Sequence, residues 1–280
     1  MSAQAVCVDK ADVLMSVEML RNRQNHPQIS EFQINIVLAL AEKKNSLNQV
    51  PTGSGKTWPV VCFPQILDIL RDTFKYNLPL ETRVLYVVPL VAIVHSLQKE
   101  MKALHIPYQI MGAGGSSTVN NEAKVIVLSP ERLQSKSVMS SILSLPWSCV
   151  SIDEPHLALE WGLSKSKRQK PFREAFNKLN NLNKLGTAFE VHSATIENVE
   201  ALCRFVGRQN SQWVKQLVVP ERSNLSYFVF SGKGAPLNIL QLPCIKQSLE
   251  EEIGGIILVY VQSVQEGSEI YLNIGLLRET

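Results

Sequence analysis

The chain has no C-x-x-C pair. Its five cysteines (Cys7, Cys62, Cys149, Cys203 and Cys244) lie far apart and are odd in number. That argues against a zinc ribbon and against a disulfide framework, and a reducing compartment fits it best. Long hydrophobic runs are missing too. The longest, Val84 to Val94, contains Pro89 and falls short of the ~18 apolar residues that suggest a membrane span. No zinc and no membrane partner is therefore expected. Charge of one sign is also scarce: 28 Lys and Arg against 25 Asp and Glu leave 28 − 25 = +3, too mild an excess to argue for nucleic acid by itself. There is no internal repeat and no long low-complexity tract. With 45% apolar and 19% charged residues, disorder, collagen-like repeats and a coiled coil are all disfavoured. Asp9, Lys10 and Asp12 stand before any apolar run, which argues against a secretory signal.

What is present has the rhythm of a layered α/β chain. Val13, Leu14, Val17 and Leu20 have helical spacing, and Met15, Met19 and Met101 read as packing residues. A second helix is expected after Ser30, which with Gln33 resembles a capping box; Phe32, Ile36, Val37 and Leu40 would form its buried stripe. Short apolar runs then recur at Val84–Val88, Lys124–Leu128, Cys149–Ile152, Ala188–Val191 and Ile256–Val261. Segments long enough for helices lie between most of them, which predicts a mostly parallel sheet covered on both faces. Pro220 to Ser223 is the expected boundary, giving domains at 1–219 and 220–280. The second has only about sixty residues, short of the usual ~100–150, and reads as incomplete.

The strongest local signal is Val50-Pro51-Thr52-Gly53-Ser54-Gly55-Lys56-Thr57. Gly53 and Gly55 let successive backbone N–H groups wrap a phosphate without a Cβ in the way. Lys56 supplies a point charge to the β- and γ-phosphates, and the Thr57 hydroxyl can ligate Mg²⁺. Val50 stands where the generic pattern has its first glycine. Trp58 and Pro59 open the following helix, and proline in a first turn costs no hydrogen bond. This loop identifies nucleotide binding rather than a task.

A second signal is Val150-Ser151-Ile152-Asp153-Glu154-Pro155-His156, two carboxylates at the carboxyl end of a buried strand, the edge where open α/β sheets bind ligands. Asp153 could hold the Mg²⁺ that Thr57 also touches, and Glu154 could orient or deprotonate an attacking water. Taken alone it is an exposed acidic turn; ninety-odd residues after a phosphate loop it is more. Ser193-Ala194-Thr195, after another apolar strand, would by itself be an ordinary N-cap for a helix near Glu197.

In this order, P-T-G-S-G-K-T, D-E-P-H and S-A-T resemble the first motor domain of superfamily 2 helicases. Val84–Leu90 resembles motif Ia and Leu128–Leu133 motif Ib, whose Arg132 would by that resemblance contact DNA; Gln33 sits where such proteins read adenine. Within the superfamily the chain resembles the RecQ family. The carriers are Trp161-Gly162 after the acidic box, Phe172-Arg173 as the pair of the loop that senses single-stranded DNA, Arg222-Ser223-Asn224-Leu225-Ser226-Tyr227 at the junction, and Gly255–Tyr260 as motif IV. The resemblance implies a RecA-like domain followed by the start of a second. It also implies an ATP- and Mg²⁺-dependent 3′–5′ DNA helicase acting on single-stranded or forked DNA, in repair or recombination. It assigns Gln33, Thr52, Gly53, Ser54, Gly55, Lys56 and Thr57 to ATP; Thr57 and Asp153 to Mg²⁺; and Lys56, Asp153, Glu154 and His156 to catalysis. Ser193 and Thr195 would couple ATP state to DNA grip. The nucleus of a eukaryote, or otherwise the cytoplasm, would be its place.

Three departures qualify this. Pro155 replaces the family's alanine and bears on the placement of His156. Residues Leu163–Pro171 lengthen the DNA-sensing loop. The chain closes soon after motif IV, so the arginine finger falls outside it and slow hydrolysis is expected. The alternative is a catalytically incomplete fragment that binds ATP and nucleic acid without unwinding. In the long loop Lys165, Lys167, Arg168, Lys170 and Arg173 cluster beside Trp161 and Phe172. Phosphate contact with stacking, a merely solvated loop and a nuclear-localisation patch are the three readings of that cluster.

Overall fold

The structure is a computed structural model that describes residues 8–89, 91–112, 114–163 and 170–218, with Gln265 and Ser268. Lys165, Lys167, Arg168, the Arg222–Tyr227 junction and the expected strand at Ile256–Val261 lie outside the described residues. The chain divides after Glu221 into two units, and only the first is described below.

Its elements alternate. Helices α1 (Lys10–Arg23) and α2 (Glu31–Ala41) lead into strand β1 (Asn45–Gln49), helix α3 (Trp58–Asp72), strand β2 (Val84–Val87) and helix α4 (Val91–Ala103). Strands β3 (Tyr108–Met111) and β4 (Val125–Leu128), helix α5 (Lys136–Leu143), strand β5 (Cys149–Asp153), helix α6 (His156–Gly162), strand β6 (Ala188–Ser193), helix α7 (Val199–Phe205) and strand β7 (Trp213–Leu217) follow. The strands form one seven-stranded sheet in the order β3-β4-β2-β5-β6-β1-β7, with every pairing parallel.

The two-residue alternation of a strand sorts its side chains between two apolar layers. Val84 and Tyr86 join the layer that contains Ile36, Leu40, Phe63 and Ile66 from α2 and α3. Leu85 and Val87 face the opposite layer, with Ile126, Val150, Phe176 and Phe189. The expected stripe on α1 needs adjustment: Val13, Val17 and Leu20 are buried, but Leu14 is exposed and the fourth buried residue is Ser16. Met15 is 55% exposed and is no packing residue, whereas Met101 is fully buried. The capping box at Ser30 and Gln33 is formed. Pro59 is indeed in the first turn of α3.

Strands β3 and β7 carry no strong sequence signal, and β1 (Asn-Ser-Leu-Asn-Gln) is mostly polar. They form because the sheet supplies backbone partners that their side chains do not advertise. β1 pairs β6 on one side and β7 on the other, with Gln49 opposite both Ser193 and Leu217. That register brings the loop after β1, the end of β5 and the end of β6 to one edge.

Candidate nucleotide site

The loop between β1 and α3 is held open by backbone shape. Gly53 and Gly55 have φ of 80° and 77°, a region L side chains avoid. Gly55 is confined further: an added Cβ would lie 2.8 Å from Nε2 of Gln33. Gln33 is buried, and both ends of its amide are used. Nε2 donates to the Gly55 carbonyl at 2.7 Å, while Oε1 accepts from the Ser30 amide at 2.9 Å and the Ser30 hydroxyl at 2.8 Å. It therefore clasps the loop to the start of α2. Ser54 donates its hydroxyl to the Pro51 carbonyl at 2.7 Å and closes the turn internally. Thr52 and Gly53 are exposed at the tip.

Lys56 and the acidic strand end meet across this loop. The Lys56 side chain is only 13% exposed and its Nζ is 3.6 Å from Oε1 of Glu154. No hydrogen-bond partner reaches that ammonium, nor is any aligned on Oδ1 of Asp153, which is buried at the end of β5. Two buried polar atoms of opposite charge left without aligned partners are costly. An anion with a divalent cation would satisfy both. Thr57, half-buried at the start of α3, has a polar interaction with the Tyr86 hydroxyl. Among the described residues no three His, Cys, Asp or Glu form a metal cluster. Mg²⁺ suits such a place, since it commonly takes one or two carboxylates and completes its shell with phosphates and water.

Glu154 turns the chain with φ of 45°, a conformation unusual for a non-glycine residue and one that clusters at functional sites. Its amide donates to the His192 carbonyl at 3.0 Å, which ties the turn to β6. Pro155 then enters α6 in right-handed helical geometry. It does not remove His156 from the site: Nδ1 is 2.9 Å from the Ser193 hydroxyl and 3.4 Å from Oε2 of Glu154.

Ser193 is the hub. Its hydroxyl donates to Glu154, contacts His156, and lies 3.0 Å from the Thr195 carbonyl while accepting from the Thr195 amide at 3.1 Å. Thr195 takes part through its backbone, and its side chain is exposed. The helix-capping role belongs to neither residue. Asn198 caps α7, accepting from the Ala201 amide at 2.8 Å.

Behind the acidic end lies a polar group that the sequence reading passed over. His192 is fully buried. Its Nδ1 is 2.8 Å and 2.9 Å from the two oxygens of Glu190, and its Nε2 is 2.9 Å from the Tyr86 hydroxyl and 3.2 Å from Asp153. Burial pushes the His192 pKa down, but the charges of Glu190 and Asp153 outweigh it and raise it to about 10. Burial likewise pushes Asp153 up, yet His192 first and then Lys56 bring it below the usual carboxylate range. Glu190 also accepts from Asn48 at 2.9 Å and from Ser151 at 2.6 Å. Asn48 reaches Gln216, which donates to the Phe32 carbonyl beside Gln33. The available signal was Glu190 and His192 alternating with Phe189 and Val191 in a strand otherwise apolar.

The nucleic-acid candidates divide. Phe172 is 78% exposed and stands edge-on to Trp161 at 5.6 Å; Lys170 is also exposed. Arg173 is not free. Its guanidinium donates to Glu131 at 3.0 and 2.7 Å and to the Pro89 carbonyl at 2.7 Å, and lies over the Trp161 and Phe176 rings. Arg132 is pinned to the Ser116 carbonyl at 2.7 Å.

A DEAD/DEAH box helicase family model matches residues 30–202. The chain is 29% identical over 166 residues to a probable ATP-dependent DNA helicase, RecS of Bacillus subtilis (strain 168), a match over 54% of this chain and 28% of that protein. The crystal structure of the DUF1998 helicase MrfA superposes with a TM-score of 0.64 at 18% identity, over 95% of this chain and 41% of that one. MrfA bound to DNA and AMPPNP gives the same TM-score at 16% identity, over 94% and 38%. The chain thus spans well under half of either relative. No helix among the described residues is long and apolar enough to cross a membrane.

Proposed function

The chain belongs to the DEAD/DEAH box helicase family, and from that premise we propose that it carries the ATP-binding motor domain of a RecQ-type DNA helicase. Residues 1–219 form that domain and 220–280 begin its second. The motor moves 3′ to 5′ on single-stranded DNA. The observation that carries the reading is the Ser193 hydroxyl, which joins Glu154 and His156 in front of Lys56. A phosphate sensor, a water-orienting carboxylate and the strand that follows them are thereby mechanically one piece.

Each residue has a role in that reading. The Gly53 and Gly55 loop and Lys56 hold the β- and γ-phosphates, and Gln33 sets the loop's position; reading adenine would require its amide to give up Gly55 and Ser30. Thr57 and Asp153 hold Mg²⁺, which when bound neutralises phosphate charge. Glu154 orients the attacking water, and Ser193 with His156 fixes the Glu154 carboxylate. Phe172 and Trp161 offer stacking faces to bases and Lys170 a contact to phosphate. Arg173 and Arg132 act by holding the DNA-facing loops. The DNA named for RecS and bound to MrfA supports DNA over RNA as the partner.

The test is ATP turnover by the purified chain with and without single-stranded DNA, beside Lys56→Ala. Turnover stimulated by DNA and lost in the variant is expected. ATP binding without turnover would instead favour a module that holds ATP and nucleic acid only. Absence of ATP binding would overturn the reading altogether.

A further inference from the structure

The parallel register of β5 and β6 sets Asp153 opposite His192 and Ser151 opposite Glu190. A fully buried Glu190 and His192 pair is a poor choice for stability alone. Charges taken from water are often matched or bettered by apolar side chains of similar volume. Phe189 and Val191 of the same strand show what such a core accepts. The pair also does not end on itself. Nε2 of His192 continues to Oδ1 of Asp153 at 3.2 Å and to the Tyr86 hydroxyl at 2.9 Å, and the Tyr86 hydroxyl has a polar interaction with the Thr57 side chain. Two side chains from opposite sides of the nucleotide loop are thus braced by one buried group on β2 and β6.

Resting on the nucleotide reading above, we propose that Tyr86, His192 and Glu190 are positioning residues that fix Thr57 and Asp153 at the spacing a nucleotide-bound Mg²⁺ requires. None of the three touches the metal or the nucleotide. They set the rotamers of the two residues that do, as outer partners of metal ligands commonly do. Glu190 anchors the ring of His192 through two oxygens, with Ser151 and Asn48 fixing Glu190 in turn. His192 faces Asp153 while Tyr86 holds Thr57. Losing one member leaves the Gly53–Gly55 backbone and Lys56 in place, because none of the three is hydrogen-bonded or ion-paired to them.

The prediction is selective. In the full chain, binding of a fluorescent ATP analogue is titrated in EDTA and again against rising MgCl₂. Tyr86→Phe removes one hydroxyl from a ring that is otherwise buried, and His192→Gln and Glu190→Gln test the rest. Each is expected to raise the MgCl₂ concentration for half-maximal enhancement about ten-fold or more, with Mg²⁺-free affinity changed less than about two-fold. Equal weakening with and without Mg²⁺ would mean a purely structural role and would overturn the inference. So would a wild-type MgCl₂ dependence in Tyr86→Phe, the variant that alters the fold least. Lys56→Ala separates the two levels. If it loses analogue binding while the bracket variants behave as wild type, only the inference fails; if it binds normally, the nucleotide reading itself fails.

Discussion

Replacing Ser193 by alanine removes one oxygen from the place where three segments of the site converge. The cost can be worked from its partners. The hydroxyl gives a charge-assisted bond to Glu154 and accepts from the Thr195 amide. Hydrogen bonds to charged groups contribute about 1.5–3 kcal/mol each and neutral ones about 0.5–1.5 kcal/mol. Both partners can be rehydrated, however, since Glu154 keeps 24% of its side chain exposed and Thr195 is exposed. The net loss should be about 1–2 kcal/mol, or about 2–8 °C in Tm for a domain of this size. Function should suffer more than stability. Glu154 would lose the contact that aims it, and misplacing a reacting group by about 1 Å can cost about 10²-fold in rate. ATP affinity should hold within about two-fold, because Lys56 and the Gly53–Gly55 backbone do not touch Ser193. The assays are thermal denaturation by circular dichroism, binding of a fluorescent ATP analogue, and DNA-stimulated turnover. Wild-type turnover in a folded Ser193→Ala protein would refute the idea that this hydroxyl organises the chemistry.

Stability of the nucleotide-free chain should fall as pH rises from about 6.5 toward 10. The unfolded state releases the histidine proton near 6.5 while the folded state, with His192 raised to about 10 between Glu190 and Asp153, keeps it. The unfolded state then binds fewer protons, so the slope is negative, at most about 1.4 kcal/mol per pH unit, and urea midpoints at pH 6.5, 7.5 and 8.5 should show it flattened in His192→Gln. Gly55→Ala should weaken ATP-analogue binding more than ten-fold, because the left-handed backbone costs about 1–2 kcal/mol and the new Cβ dislodges Gln33. Gly53→Ala bears only the backbone cost, having open space around it, and equal losses in the two variants would remove Gln33 from the account. Arg173→Ala should lower Tm measurably, since it frees the loop from Glu131 and Pro89. Phe172→Ala should leave stability within about 0.5 kcal/mol and weaken single-stranded DNA binding, as fluorescence anisotropy would report; the reverse pattern would exchange their roles.

The parts of this site that the sequence announced are those whose chemistry is local. A phosphate loop needs glycines and a lysine within a few residues, and the acidic strand end needs two adjacent carboxylates, so Gly53, Gly55, Lys56, Asp153 and Glu154 could be read directly. Gln33 was legible as a capping residue because the box spans one turn. Its second bond, to Gly55 twenty-two positions on, depends on how α2 docks and could not be read locally. β1 was faint because its buried polar residues are answered across strands: Asn48 meets Glu190 from β6 and the half-buried Gln216 from β7; β7 is an edge strand with three of its five side chains exposed.

The same reasoning explains Arg173 and His192, which moved in opposite directions between sequence and structure. Arg173 sits in a run of basic residues, and its place after the acidic box, with the resemblance of Phe172-Arg173 to a DNA-sensing pair, made it a candidate contact to DNA. The fold instead places it against Glu131, Pro89 and two aromatic rings, where its charge is already used. His192 stands in an apolar strand, and nothing local in the sequence marks it out. The parallel register gives it Asp153, and the next strand but one gives it Tyr86. A charged residue's function is therefore set by what the fold has left unpaired around it. By that criterion Lys56 and Asp153 are telling: each buries a charged atom that no aligned hydrogen bond satisfies, and the opposite charges beside them are Glu154 at 3.6 Å and His192 at 3.2 Å. Lys56 belongs to the loop whose glycines leave room for a phosphate, and Asp153 ends the strand that reaches the same sheet edge.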